Sequence, residues 1–416
     1  MKRFAILAVL SLGLTASLAA CGDSKKDDEG GGGSSGGVTN VTLSVWGPQQ
    51  DQVDASSWLL VQEAAFEKAH PEWKITWKNS VVSEGDAATT VKQDASAAAD
   101  VYMFANDQLG TLVEVSAIGV VPADTLTQVQ EQNNDIIINS VTGTDGNVYG
   151  VPFTANTWFM YYDKSVFSED DVKNLDAMLA KAKVAFPLDN SWYLPAFYMG
   201  NGCTLYGPNG DDAAAGVDFA GAKATDVTAY LAGLVANANF VVDTNGAGLA
   251  GIQNKTVSAF FSGSWDAEAV QEALGDNFGA AQLPTFTLNG QEVQMKSFAG
   301  SKAIAFNPNA SNPKAAATFA AFLGSTEAQK SHYELRGIIP TDSSLASDAA
   351  VAADPVAIAQ IDTVENTSVL QPTIPAMSNY WDPSENFGKA LVSKEVTAAN
   401  AAEKTEAWNT SLNAGS

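Results

Sequence analysis

The chain has 416 residues, with 22 basic against 47 acidic side chains and a net charge of −25. That length exceeds what one ordinary hydrophobic core organises and points to two lobes. The charge argues against nucleic acid or an anionic lipid surface as partner, because phosphate binding needs clustered cations, and two histidines with two cysteines offer no metal-ligand spacing.

Lys2 and Arg3 precede an apolar run from Phe4 to Leu14, followed by the small residues Ala16-Ser17 and Ala19-Ala20. This is the charged, apolar and small-residue layout of an export signal over residues 1–20. The run is short and weak for a membrane span, which needs ~20 strongly apolar residues. Leu18-Ala19-Ala20-Cys21 resembles a bacterial lipobox, in which the cysteine thiol takes a diacylglycerol and becomes the new N-terminus after cleavage. Residues 22–40 are Gly, Ser, Lys, Asp and Glu with almost no apolar side chains. Such a segment cannot offset its ordering entropy and is expected to be a flexible tether. Residues 21–40 therefore read as a lipidated Cys21 with its leash, holding an exported body at the outer face of the cell membrane. Cys203 is the one remaining thiol. It is expected to be a buried small hydrophobe, with a catalytic role the remote second choice.

In the body, VTLSVW (41–46) alternates and predicts a first strand ended by Gly47-Pro48. Asp54, Ser56 or Ser57 can cap a helix through about Ala69, which His70-Pro71 ends. WKITWK (73–78) reads as a second strand, residues 85–100 as an alanine-rich helix, and VYMFA (101–105) as a strand covered on both faces. The alternation of strand and helix predicts a parallel sheet with right-handed crossovers. Ligands in such sheets sit outside the carboxyl ends of the strands. Those ends carry Trp46 to Asp51 and Phe104 to Asp107. A long strand is expected after Val151-Pro152-Phe153, helices over 171–183 and 226–237, a strand over 257–265 and another over 298–308. Helices over 313–325 and about 395–412 complete the pattern.

Seven aromatic residues fall at strand ends or in turn-rich stretches: Trp46, Phe104, Trp192, Tyr193, Trp265, Tyr380 and Trp381. Gln49, Gln50, Asp51, Asn106, Asp107, Asn190 and Asp382 lie beside them. Sugars ask for this mixture, because the C–H face of a pyranose packs on an aromatic ring and its hydroxyls need paired donors and acceptors. Trp58, Trp73, Trp77 and Trp408 lie within predicted helices or strands and are expected in the core. Hydrolysis of a sugar needs two carboxylates flanking one bond. Asp107, Asp382 and Glu385 are available, but no spacing singles them out, and no nucleophile elbow, phosphate loop or His-Glu-x-x-His motif occurs.

Six stretches, in order, resemble the extracellular solute-binding proteins of ABC sugar importers, and most closely the maltose/maltodextrin-binding proteins. They are ADVYMFANDQLGTLVEVSAIGVV (99–121), GNVYGVPFTANTWFMYYDKSVF (146–167), VSAFFSGSWDAEAV (257–270), FGAAQLPTF (278–286), the run 298–323 and PTIPAMSNYW (372–381). The resemblance implies an α/β fold of two lobes joined by three crossovers with the ligand between them, lobe one being 41–154 plus 300–341 and lobe two 155–299 plus 342–416. It implies a monomer that carries oligosaccharide to membrane permease subunits, without cofactor or metal and without catalysis. Asp107 matches the family's hydroxyl-binding aspartate, and Phe104 stands where a stacking tryptophan is usual. Trp192 and Tyr193 match its paired aromatics, Trp265 and Trp381 its two lobe-two tryptophans, and Asp86 lies near its acidic second-strand loop. The first-strand loop supplies Trp46, Gln50 and Asp51, without the family's lysine. Gln108 replaces an arginine, Asn156 a glutamate on the crossing strand, and Asn190 an acid before the paired aromatics. Fewer charged contacts leave the sugar's length and linkage open, as well as two alternatives: a different oligosaccharide in the same fold, or a surface glycoside hydrolase.

Overall fold

The computed structural model describes residues 38–93 and 98–414. The export signal, Cys21 and the tether through Gly37 lie outside the described residues. So do residues 94–97 of the helix expected over 85–100, whose described part is Ala87–Gln93. The tether expectation over-reaches at its end, since the first strand already begins at Thr39.

Two five-stranded sheets organise the body. The first has the order Trp73–Val81, Thr39–Gly47, Val101–Ala105, Ser301–Phe306, Val151–Ala155. Its alternating side chains feed two separate cores. Val41, Leu43, Val45, Val101 and Met103 pack on one face with Trp58, Phe66 and the helix Pro313–Leu323. Trp46, Tyr102 and Phe104 pack on the other with Leu109 and Leu112. Period-two alternation with helices on both faces makes such strands apolar throughout. The second sheet has the order Phe278–Ala281, Phe159–Asp163, Ala259–Ser262, Val184–Phe186, Phe240–Val242. It too has two cores, Met160 and Phe261 lying on one face and Phe159, Tyr161 and Phe260 on the other.

The chain passes between the sheets three times. Asn156-Thr157-Trp158 links the strand ending at Ala155 to the one starting at Phe159. Gly300 separates Ser297–Ala299, which pairs in parallel with Ser368–Leu370 beside the second sheet's half, from Ser301–Phe306 of the first sheet. Residues 337–341 lead from the helix Thr326–Arg336 toward the helix Pro355–Asn366. The passages are tied together: Asn156 N donates to Gly300 O (2.9 Å), Thr157 Oγ1 to Phe298 O (2.8 Å), and Thr154 Oγ1 to Ile339 O (2.6 Å).

Three expectations need correction. The long strands expected around Val151 and over 298–308 are each cut by a passage, and their halves join different sheets. The first sheet is not wholly parallel: Thr39–Gly47 pairs in parallel with both neighbours, but Ser301–Phe306 runs antiparallel to both of its own. That strand enters the sheet from the passage end, opposite Ala105 and Ala155, so its direction is reversed. Trp58 and Trp408 are buried as expected, whereas Trp73 and Trp77 are only half-buried along the sheet's edge strand. Cys203 is a buried free thiol, and its burial pushes its pKa up to about 12.

Candidate functional site

A cleft of ≈ 410 Å³ is lined by Gly85, Ala105, Asp107, Asn156, Trp192, Trp265, Lys302, Gln371 and Trp381. Ala105 and Asp107 come from the carboxyl end of a first-sheet strand, where ligands of open α/β sheets sit. Lys302 pairs across the ladder with Ala105. Asn156 belongs to the first passage. The opposite wall comes from the other half of the body. Trp192 lies in a turn whose start is capped by Asn190, the Asn190 Oδ1 accepting from Trp192 N (2.9 Å). Trp265 sits in the short turn Ser264–Asp266 after its strand, held by Ser262 Oγ donating to Asp266 (2.6 Å). Trp381 opens the helix Trp381–Val392. A larger groove of ≈ 790 Å³ lies beside Glu169, Asp170, Glu292 and Asp362. It offers no tryptophan, so the three indoles rather than size select the smaller cleft.

The indoles are braced. Trp192 and Trp265 rings are 6.0 Å apart at 32°. Trp192 Nε1 donates to Gln371 Oε1 (2.9 Å), and Tyr193 packs against the Trp192 ring edge-on at 5.4 Å. Trp381 stands edge-on to Tyr380 (5.2 Å) and Phe298 (6.2 Å). Trp265 is 55% exposed. An indole left this open in an otherwise well-packed body is a surface waiting for an apolar partner. Asp107 is exposed toward the cleft but enclosed by protein on its other sides, and this desolvation raises its carboxyl to about 6. Lys302 Nζ lies 3.4 Å from Glu84.

Asp107, Asn156, Trp192, Trp265 and Trp381 thus come together as the sequence predicted. The other candidates lie elsewhere. Phe104 is fully buried and shares the Tyr102 face of its strand, so it has no free ring face. Trp46 packs on Tyr102 in the same core (5.4 Å). Tyr193 is 8% exposed, its ring set against Trp158 (4.7 Å), and it supports Trp192 rather than lining the cleft. Asp51 is buried, held by Arg336 Nη1 (3.2 Å) and by His332 Nε2 (3.1 Å), whose ring stacks on Trp58 at 3.9 Å. It fastens the first-strand loop to a helix. Gln50 is exposed and outside the lining. Asp86 is at the rim next to Gly85, accepting from Ser83 Oγ (2.6 Å).

Gly85, Ala105, Lys302 and Gln371 line the cleft without having been singled out as candidates. A lone lysine inside the apolar stretch Ser301–Phe306 was the one available signal for Lys302. Gln108, which stands in place of an arginine, turns inward: its Oε1 accepts from Ala88 N (2.7 Å) and its Nε2 donates to Glu84 O (2.8 Å).

Two α/β halves sharing a cleft walled by indoles and polar groups define a two-lobed binding-protein fold. The chain belongs to the bacterial extracellular solute-binding protein family, whose model matches residues 63–359. It is 28% identical over 430 residues to a maltooligosaccharide ABC transporter solute-binding lipoprotein of Streptococcus pneumoniae, covering 97% of this chain and 95% of the relative. A chain solved with acarbose is 49% identical, with a TM-score of 0.85 over 90% of this chain and 99% of that one. The ligand-free maltodextrin-binding protein MalE1 of L. casei is 28% identical, with a TM-score of 0.83 and the same two coverages.

Proposed function

We propose that the protein captures maltodextrin-type α-glucan oligosaccharides outside the cell and delivers them to the permease subunits of an ABC importer. It acts as a monomer held at the outer face of the membrane by a lipid on Cys21. The observation that carries this reading is the convergence of Trp192, Trp265 and Trp381 with Asp107, Asn156, Gln371 and Lys302 in one cleft. Indole faces pack on pyranose rings, and the amide, carboxylate and ammonium groups match hydroxyls. The maltooligosaccharide for which the Streptococcus relative is named and the acarbose bound to the similar solved chain point to the same sugar class.

The lobes divide at 41–154 with 300–341 and at 155–299 with 342–416. Sheet membership supports this division to within a residue or two at the passages. A ligand touching both walls stabilises the closed arrangement by its differential affinity, a hinge motion about the three passages. Asp107 is the one carboxylate among the described residues of the lining. Glycoside hydrolysis needs two, so capture is favoured over cleavage.

Tryptophan fluorescence and calorimetric titration with maltose, maltotriose, longer maltodextrins, xylotetraose and galactobiose test the reading. Micromolar binding of maltodextrins that is lost in a Trp265→Ala, Trp381→Ala double variant is the expected outcome. Binding of xylotetraose or galactobiose with none of any α-glucan refutes the sugar assignment, and sugar cleavage refutes the binding role.

A further inference from the structure

Asn106 is fully buried immediately before Asp107, in the short turn that begins where its strand ends. Its side-chain amide lies flat on Gly300: a Cβ at position 300 would come within 2.3 Å of the Asn106 Cγ. Its Oδ1 accepts from Asn156 Nδ2 at 3.3 Å. Among the described residues its own Nδ2 has no acceptor. Gly300 and Asn156 belong to two of the three passages between the sheets and are bonded to each other through the Asn156 backbone N–H. One buried amide therefore touches two passages and one cleft-lining side chain.

The arrangement fixes which atom Asn156 offers to a ligand. An amide group has one acceptor oxygen and, at its other end, one nitrogen with two N–H donors. With one N–H of Nδ2 committed to Asn106, the amide is held by its nitrogen end and Oδ1 carries no bond to Asn106. We propose that Asn106 is a positioning residue that pins the Asn156 amide, so that Asn156 presents an acceptor to a hydroxyl of the bound sugar. This inference rests on the oligosaccharide reading above and names the polarity of one of its contacts. Asn156 then plays the acceptor part of a carboxylate without its charge. A misaligned polar contact at a partly buried site loses most of its value, so removal of the pin is read directly in affinity.

A double-mutant cycle on the full chain tests this, with maltotriose as the probe. Asn106→Leu is expected to weaken binding about tenfold when Asn156 is present. In an Asn156→Ala background the same change is expected to weaken it no further than about twofold. Thermal melts of all four proteins control for folding. A purely structural role for Asn106 would lower affinity equally in both backgrounds, and that additive result overturns the proposal, as does unchanged affinity in Asn106→Leu. A second readout needs no sugar. In ¹⁵N spectra the Asn156 side-chain NH₂ is expected to exchange slowly with solvent in the parent and fast in Asn106→Leu. Equally fast exchange in both refutes the pin, whereas failure of the parent to bind any α-glucan refutes only the sugar assignment.

Discussion

Asp107 carries an acceptor into the cleft at a cost to the empty fold. Its carboxyl is raised from 3.8 to about 6 by desolvation. The folded chain therefore holds a proton that the unfolded chain has lost, in the window between about 4 and 6. Stability falls as pH rises through that window, and the deficit persists at neutral pH. Asp107→Asn is accordingly expected to melt at a higher temperature than the parent at pH 7 and at the same temperature near pH 3.5, as calorimetry would record. Binding runs the other way. The ionised carboxylate is the stronger acceptor for sugar hydroxyls. Affinity of the parent should fall as pH drops through 6, while that of Asp107→Asn should be weaker at neutral pH and flat across the range. Titrations at pH 5 and pH 8 decide this, and a parent whose affinity does not change between them would remove Asp107 from the ligand contacts. Asp51 shows the opposite use of the same side chain. It is paired with Arg336 and hydrogen-bonded to His332 inside the protein, so it serves the fold.

At the level of elements, the short turns after strands decide where the indoles stand. Trp265 follows the strand Ala259–Ser262 after Gly263 and Ser264, and its ring lies directly on Gly263. A Cβ at that position would come within 2.0 Å of the indole. Gly263 has a φ of −96°, so alanine meets no backbone strain there, and the conflict is with the ring alone. Gly263→Ala should therefore swing the exposed Trp265 out of place and weaken sugar binding roughly tenfold. Its melting temperature should change little, because Trp265 packs little of its surface against the protein. Near-ultraviolet circular dichroism and titration together test this. Loss of fold in place of loss of affinity would mean that the turn, not the ring, needs the glycine. The same logic explains Gly300, where the space a side chain would take is filled by Asn106. Both glycines are required by close approach rather than by a left-handed backbone.

At the level of the whole molecule, the proposed delivery role requires that the carrier stay near its permease. In the proposed reading a single lipid on Cys21 provides this by raising the local concentration of the protein at the membrane. Cys21→Ser in a bacterial host with the lipoprotein pathway is expected to release the protein into the aqueous fraction with its sugar affinity intact. Metabolic labelling with a palmitate analogue should mark the parent and leave the variant blank. A labelled variant, or an unlabelled parent that still fractionates with membranes, would assign the attachment to another feature.

Much of this was written in the linear order of residues. Strand alternation at 41–46, the all-apolar 101–105, the acidic charge and the cluster of aromatics outside core periodicity depend on local chemistry, and local chemistry is legible one window at a time. Those signals pointed to an α/β body of two lobes and to four of the nine residues that line the cleft, and the family resemblance added Asn156. What they could not convey was direction and facing. Phe104 and Trp46 read as rim aromatics, but each strand buries its side chains toward its carboxyl end, Val45 to Gly47 in one and all of Val101–Ala105 in the other. Asp51 looked like a ligand contact because the residues that bond it, His332 and Arg336, lie more than 280 positions away in sequence. Lys302 entered the cleft only because its strand runs backwards beside Ala105, and Asn106 gained its role only because Gly300 and Asn156 meet there. Sequence by itself determined the elements and their apolar faces, since hydrophobic period is a property of neighbours along the chain. The tertiary structure decided which polar groups face one another, since burial and pairing depend on residues that only the passages between the sheets bring together.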